Sequence, residues 1–169
     1  MRSFTFILFL IFSLTISAQN NTCKCCTENN DAFDFWLGEW EVFNKNETIA
    51  GYSNITQIQN NCVILENWKS AKGNYTGTSN NFYNVKTKQW EQIWIDNQGG
   101  VLHLKGNRVE NQMILSTEEE TNEKGQRVKN RVTWTKNEDG TVRQYWEIIT
   151  DGKDIAVAFD GLYKKKTSN

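Results

Sequence analysis

Between residues 33 and 163 the chain keeps one rhythm: short runs in which apolar and polar side chains alternate, each closed by a cluster of Asn, Asp, Gly or Lys. Period-two alternation sends successive side chains to opposite faces of a strand, and no window sustains the periodicity and caps of an amphipathic helix. The runs fall at 39–43, 52–59, 62–68, 79–85, 89–96, 101–105, 112–117, 127–135, 141–150 and 155–163, about ten strands at roughly 10-residue spacing. Asp96-Asn97-Gln98-Gly99-Gly100 is the clearest hairpin turn, and Asn44-Lys45-Asn46, Asn60-Asn61, Gly106-Asn107 and Asp151-Gly152-Lys153 punctuate other joins. There is no proline, so every interior backbone N–H is free to join a ladder, while seven Trp, nine Phe and five Tyr suit a half-buried pleated surface. A meander this long buries one face and removes its edges by closing on itself. The predicted fold is all-β: a single antiparallel up-and-down β-barrel of about ten strands. No internal repeat argues for a propeller or a β-solenoid.

The 169 residues suit one domain. Met1-Arg2-Ser3, an apolar run at 4–16 and the small Ala18 predict a signal peptide over 1–18. The run falls short of the roughly 20 residues of a bilayer span, so no integral membrane anchor is expected. Residues 19–32 read as a loose, polar, Cys-containing leader, 33–163 as the barrel domain, and 164–169 as a basic, solubilising tail. Removing Arg2 from the 19 basic residues leaves 18 against 20 acidic ones, a balance that predicts no affinity for nucleic acid. Export to a periplasmic or extracellular location would put Cys23, Cys25, Cys26 and Cys62 where disulfides persist. Neighbours 25 and 26 could pair only as a strained ring, so a bridge from the N-terminal cluster to Cys62 is expected, tying the leader to the domain. The alternative is that Cys23-x-Cys25-Cys26 holds a soft metal such as Cu(I) or Zn(II), but no histidine lies near it, and no metal centre is assigned.

Phe33-Asp34-Phe35-Trp36-Leu37-Gly38-Glu39-Trp40-Glu41-Val42, Glu66-Asn67-Trp68, Gln89-Trp90-Glu91-Gln92-Ile93-Trp94-Ile95-Asp96, Val132-Thr133-Trp134-Thr135 and Asp139-Gly140-Thr141-Val142-Arg143-Gln144-Tyr145-Trp146-Glu147 follow one another along the chain. In that order they resemble an exported bacterial family of uncharacterised proteins. The resemblance spans nearly the whole mature domain and implies a calycin-like (lipocalin-like) barrel with no defined activity. Gly38-x-Trp40 is also similar to the Gly-x-Trp of lipocalins, whose tryptophan closes one end of the barrel against an arginine from a late strand. That likeness makes Arg143 the expected partner of Trp40, with Arg131 second. Read from the residues alone, Trp36 and Trp40 are large core aromatics.

Period-two arithmetic sorts the later strands into faces. Trp90, Gln92, Trp94 and Asp96 share one face of 89–96; Arg143, Tyr145 and Glu147 share one face of 141–150, opposite Val142, Gln144 and Trp146. Neither face is cleanly apolar, as expected of a barrel whose cavity needs apolar walls and a few orienting polar groups. The candidate ligand-binding residues are Glu66, Trp68, Gln92, Trp94, Arg143, Tyr145 and Glu147, and the expected ligand is a small hydrophobic or amphipathic molecule. Two alternatives stand beside this. Glu66, Arg143 and Glu147 could serve an isomerase, cyclase or hydrolase as acid-base groups, or the arginine and a carboxylate could form a structural ion pair in a filled core. No cofactor is assigned, although His103, the only histidine, is a conceivable haem ligand.

Overall fold

The computed structural model describes residues 23–166; the expected signal peptide, the first residues of the leader and the last three of the tail lie outside the described residues. A 3-10 turn, Asp31–Trp36, precedes eleven strands. These are β1 Gly38–Phe43, β2 Ile49–Ile58, β3 Val63–Ser70, β4 Thr76–Asn84, β5 Gln89–Asp96, β6 Val101–Val109, β7 Gln112–Ser116, β8 Glu120–Thr121, β9 Arg127–Lys136, β10 Val142–Thr150 and β11 Asp154–Lys165. Each long strand pairs antiparallel with its neighbour in the chain, and β11 pairs back onto β1. The result is a closed ten-strand up-and-down barrel of calycin/lipocalin-like form, with β8 a two-residue side ladder on β9. Closure leaves no long edge exposed.

The expected strands all form, with shifted bounds. β2 begins at Ile49 and β4 at Thr76, in each case three residues before the alternation becomes legible. The reason in β4 is Gly77, which looks like a loop residue but faces inward beneath Trp94, where a Cβ would collide with the indole. β11 runs past 163 to Lys165, so the first two residues of the expected tail are barrel strand, with Trp40 opposite Lys165 and Glu41 opposite Lys164.

The leader is likewise structured where it is described. Cys25 is bridged to Cys62 and Cys23 to Cys26, so the expected tie to Cys62 forms and all four sulfurs are committed to disulfides rather than to a metal. Closing a 37-residue separation should stabilise the fold by about 4 kcal/mol through the denatured chain. The tethered segment leads into the 3-10 turn, whose Phe33 and Trp36 fill one end of the barrel and are fully buried. Phe33 stacks on Trp36 at 5.0 Å and meets Trp90 and Trp134 edge-on at 5.6 and 5.2 Å. Trp40 Nε1 donates to the Trp36 carbonyl at 2.8 Å, and Trp90 Nε1 to that of Asn29 at 2.9 Å. Val42, Ile55, Ile64, Leu104, Met113 and Leu115 are buried in the same hydrophobic cluster.

At the opposite end two β-bulges interrupt the ladder. Between β1 and β2 the register shift leaves Ala50 as an extra residue, and between β10 and β11 it leaves Ala158. Bulges bend a strand and sharpen its twist, and both sit at the rim of the unplugged half.

Candidate functional site

The unplugged half encloses a cavity of about 370 Å³. Its walls are Trp68, Trp94, Leu102, Trp146 and Phe159, with Asn44, Ser70, Lys72 and Tyr75 around the mouth. The space exists because the large rings lie along the wall instead of across the barrel. Trp94 rests where Gly77 has no side chain, and Trp68 rests over Gly51, where a Cβ would stand 2.6 Å from the indole. Phe159 likewise lies beside Gly161, and its ring meets Trp68 edge-on at 6.0 Å. Inward glycines next to inward tryptophans are what separate this half from the packed one.

The cavity floor is polar, formed by Glu66, Gln92, Gln144 and Tyr163. Glu66 on β3 is only 3% exposed and takes part in none of the ion pairs among the described residues. Its Oε1 accepts from Ser53 Oγ on β2 at 3.0 Å, and its Oε2 from Ser79 Oγ on β4 at 2.9 Å. Behind Ser79 the donors form a chain with a fixed direction. Asn81 Nδ2 reaches the Ile64 carbonyl at 3.0 Å, and a carbonyl can only accept, which assigns that atom as the amide nitrogen. The same nitrogen donates to Ser79 Oγ at 2.9 Å, leaving the serine proton for Glu66, while Asn81 Oδ1 accepts from Gln92 Nε2 at 2.7 Å. The chain Gln92, Asn81, Ser79 therefore points its positive ends at one carboxylate.

Burial opposes that arrangement. Desolvation pushes the Glu66 pKa up to about 7 from its ordinary 4.5, and the serine hydrogen bonds pull it back only in part. Tyr163, buried beside it and donating to Gln144 Oε1, is pushed well above the usual tyrosine range by burial and then by the Glu66 charge. The floor thus holds a carboxylate that changes charge near neutral pH and a phenol that stays neutral.

Of the seven predicted ligand-binding residues, Glu66, Trp68, Gln92 and Trp94 line this cavity. Arg143, Tyr145 and Glu147 do not. They lie on the outer face of β10, beside a shallow groove of about 300 Å³ shared with Arg131 and Thr133 of β9. Strand pairing gives the reason: Gln144 lies opposite Trp134 and Trp146 opposite Val132, so Gln144 and Trp146 turn inward with those buried side chains of β9 and the alternate residues turn out. Arg143 grips Asp160 through Nε and Nη2 at 2.8 and 2.7 Å, with Lys45 adding a third contact at 3.0 Å, and the guanidinium holds Asp160 below the usual carboxylate range. Arg131 pairs with Glu147 at 2.9 Å. The sheet wall therefore separates Glu66 from both Arg143 and Glu147, and an acid-base trio of these three residues does not assemble.

One further expectation is corrected. The cation over Trp40 is neither Arg143 nor Arg131 but Lys165, whose Nζ lies 4.1 Å from the indole and donates to the Leu37 carbonyl. Gly38 has a φ of 128°, and a Cβ on it would collide with that ammonium, so the Gly-x-Trp step makes room for a lysine. His103 points outward, with Nε2 2.8 Å from Glu91 Oε2, and does not line the cavity. Ser53, Ser79, Asn81, Gln144 and Tyr163 are site residues that sequence reasoning missed. The available signal was the shared parity of Gly77, Ser79 and Asn81 in β4. Comparison with protein families and with curated proteins finds no match to this chain.

Proposed function

We propose that this chain is an exported barrel that holds a small apolar or amphipathic molecule in its unplugged half. The observation that carries the reading is the cavity itself, with aromatic walls laid flat over glycines and a polar floor collected around one carboxylate. Its volume falls within the range of small-molecule sites and matches about a dozen non-hydrogen atoms at the roughly 30 Å³ of a water-sized group. A filled structural core is disfavoured by the same space. Export is supported by the apolar run at 4–16 and by two disulfides, which persist in oxidising compartments.

The test uses the tryptophans of the wall as reporters. para-Bromophenethyl alcohol, a neutral amphiphile carrying a heavy-atom quencher, should quench tryptophan emission saturably, and Leu102→Trp, which fills the cavity, should abolish the saturable part. Quenching that rises linearly in both proteins, as for collision with free tryptophan, would sink the reading.

A further inference from the structure

Resting on the reading of the unplugged half as a binding site, we propose that its occupant is an amphipathic organic cation, an amine on an apolar body. Its charge pairs with Glu66, and its body lies against Trp68, Trp94, Trp146 and Phe159.

Donors and charge are out of balance at the cavity floor. A carboxylate offers about four acceptor sites, and the protein fills one on each oxygen of Glu66, from Ser53 and Ser79. The donor chain through Ser79 is oriented for a negative charge, yet no cation of the protein answers that charge among the described residues. A buried charge without a counter-charge is expensive, and the cavity, which Glu66 lines, gives a partner a way to reach it. An ammonium supplies both the charge and the donors for the remaining sites. Aromatic faces around it add cation–π attraction, which strengthens where water is excluded.

An anionic guest fits poorly in either direction. Head inward, it meets the Glu66 carboxylate. Head outward towards Lys72 at the rim, it lays its apolar tail against the floor polar groups and leaves the carboxylate unanswered. A neutral guest satisfies the remaining acceptors but not the charge.

The pH dependence follows from the groups that face the floor. β2, β4 and β5 present Ser53, Ser79, Asn81 and Gln92, which do not titrate; β11 presents Tyr163, held neutral by burial; Tyr75 and Lys72 stand at the rim, and His103 lies across the sheet wall. An aliphatic amine keeps its proton up to about pH 10. Affinity for it should therefore rise with pH as Glu66 ionises, whereas affinity for a neutral analogue should stay flat.

The experiment compares three probes of one shape by the same quenching: para-bromophenethylamine, para-bromophenethyl alcohol and para-bromohydrocinnamate. In the wild-type protein near pH 8 the amine should bind about tenfold or more tighter than the alcohol, and the acid more weakly than the alcohol. Lowering the pH to about 5 should bring the amine down to the level of the alcohol. Glu66→Gln should remove the preference for the amine over the alcohol at every pH, read as the ratio of the two affinities within the one variant, and the wild-type pH series repeats the test without any substitution. Saturable alcohol binding with no amine preference, or a preference that survives Glu66→Gln, overturns the inference and leaves the binding reading standing. No saturable binding of any probe overturns both.

Discussion

The two halves of this barrel are built from the same strands and differ in what lies between them. In the plugged half, shape comes first: Phe33, Trp36, Trp40, Trp90 and Trp134 interlock, and the packing leaves the indole N–H groups of Trp36 and Trp134 buried without partners among the described residues. In the unplugged half, polar satisfaction comes first. Every donor of the Gln92–Asn81–Ser79 chain is directed, and the aromatic rings are set back over glycines so that the centre stays free. Unpartnered buried donors cost about 1–3 kcal/mol each, so one half accepts that cost for dense packing and the other forgoes packing to keep a site. The difference locates dense packing at one end and an open cavity at the other.

The strongest way to break this division is Trp36→Ala. The side chain is fully buried at the centre of the plug, so its removal should cost about 3–5 kcal/mol, whereas Trp94→Ala, on a half-buried wall, should cost no more than about 2 kcal/mol. Urea unfolding midpoints at unchanged m-value would measure both. Equal losses would mean that the halves share one packing regime.

A somewhat smaller effect isolates the cost of keeping the site. Glu66 has its folded pKa raised to about 7 from an ordinary 4.5, so between those values the folded chain holds a proton that the unfolded chain has released. Stability contributed by that difference is complete below the lower value, falls as pH rises through the window, and levels off above the higher one. The loss amounts to about 3 kcal/mol. Glu66→Gln should therefore match the wild type near pH 4 and exceed its stability by that order near pH 8. Parallel stability–pH curves for the two proteins would remove the buried carboxylate as a source of strain in the site.

Much of the barrel was legible because its signals are local. Period-two alternation and Asn/Gly turns mark strands wherever neighbours in the chain are neighbours in the sheet, and an up-and-down meander makes that true throughout. Half of the site was legible for the same reason: Glu66 with Trp68, and Gln92 with Trp94, share parity within a strand. β10 was not, because both of its faces mix aromatic and polar side chains. Only pairing with β9 decides between Gln144/Trp146 and Arg143/Tyr145/Glu147, and register is a property of two strands. Ser79 and Asn81 were missed because small polar residues read as solvent-facing unless a buried charge is known to stand opposite. Lys165 was hidden differently: in Lys164-Lys165-Lys166 identical side chains erase the alternation that would show one of them turned onto Trp40.

That lysine offers the finest test of the comparison, since it belongs to the plugged end but is itself polar. Its ammonium faces the Trp40 ring at 4.1 Å and bonds to the Leu37 carbonyl, while its stem crosses the space that Gly38 leaves. Lys165→Met keeps the stem and removes the charge, so its cost isolates the cation–π and hydrogen-bond contribution, about 1 kcal/mol. Lys165→Arg restores a charged donor over the ring and should recover at least half of the loss. Neither substitution should alter saturable quenching by the cavity probes, because Lys165 stands at the far end from Trp94 and Trp146. A Met variant as stable as the wild type would show that the ammonium contributes nothing and that the closure is purely one of shape. A Met variant with weakened probe binding would show instead that the two ends are coupled through β1 and β11, and the division between them would have to be redrawn.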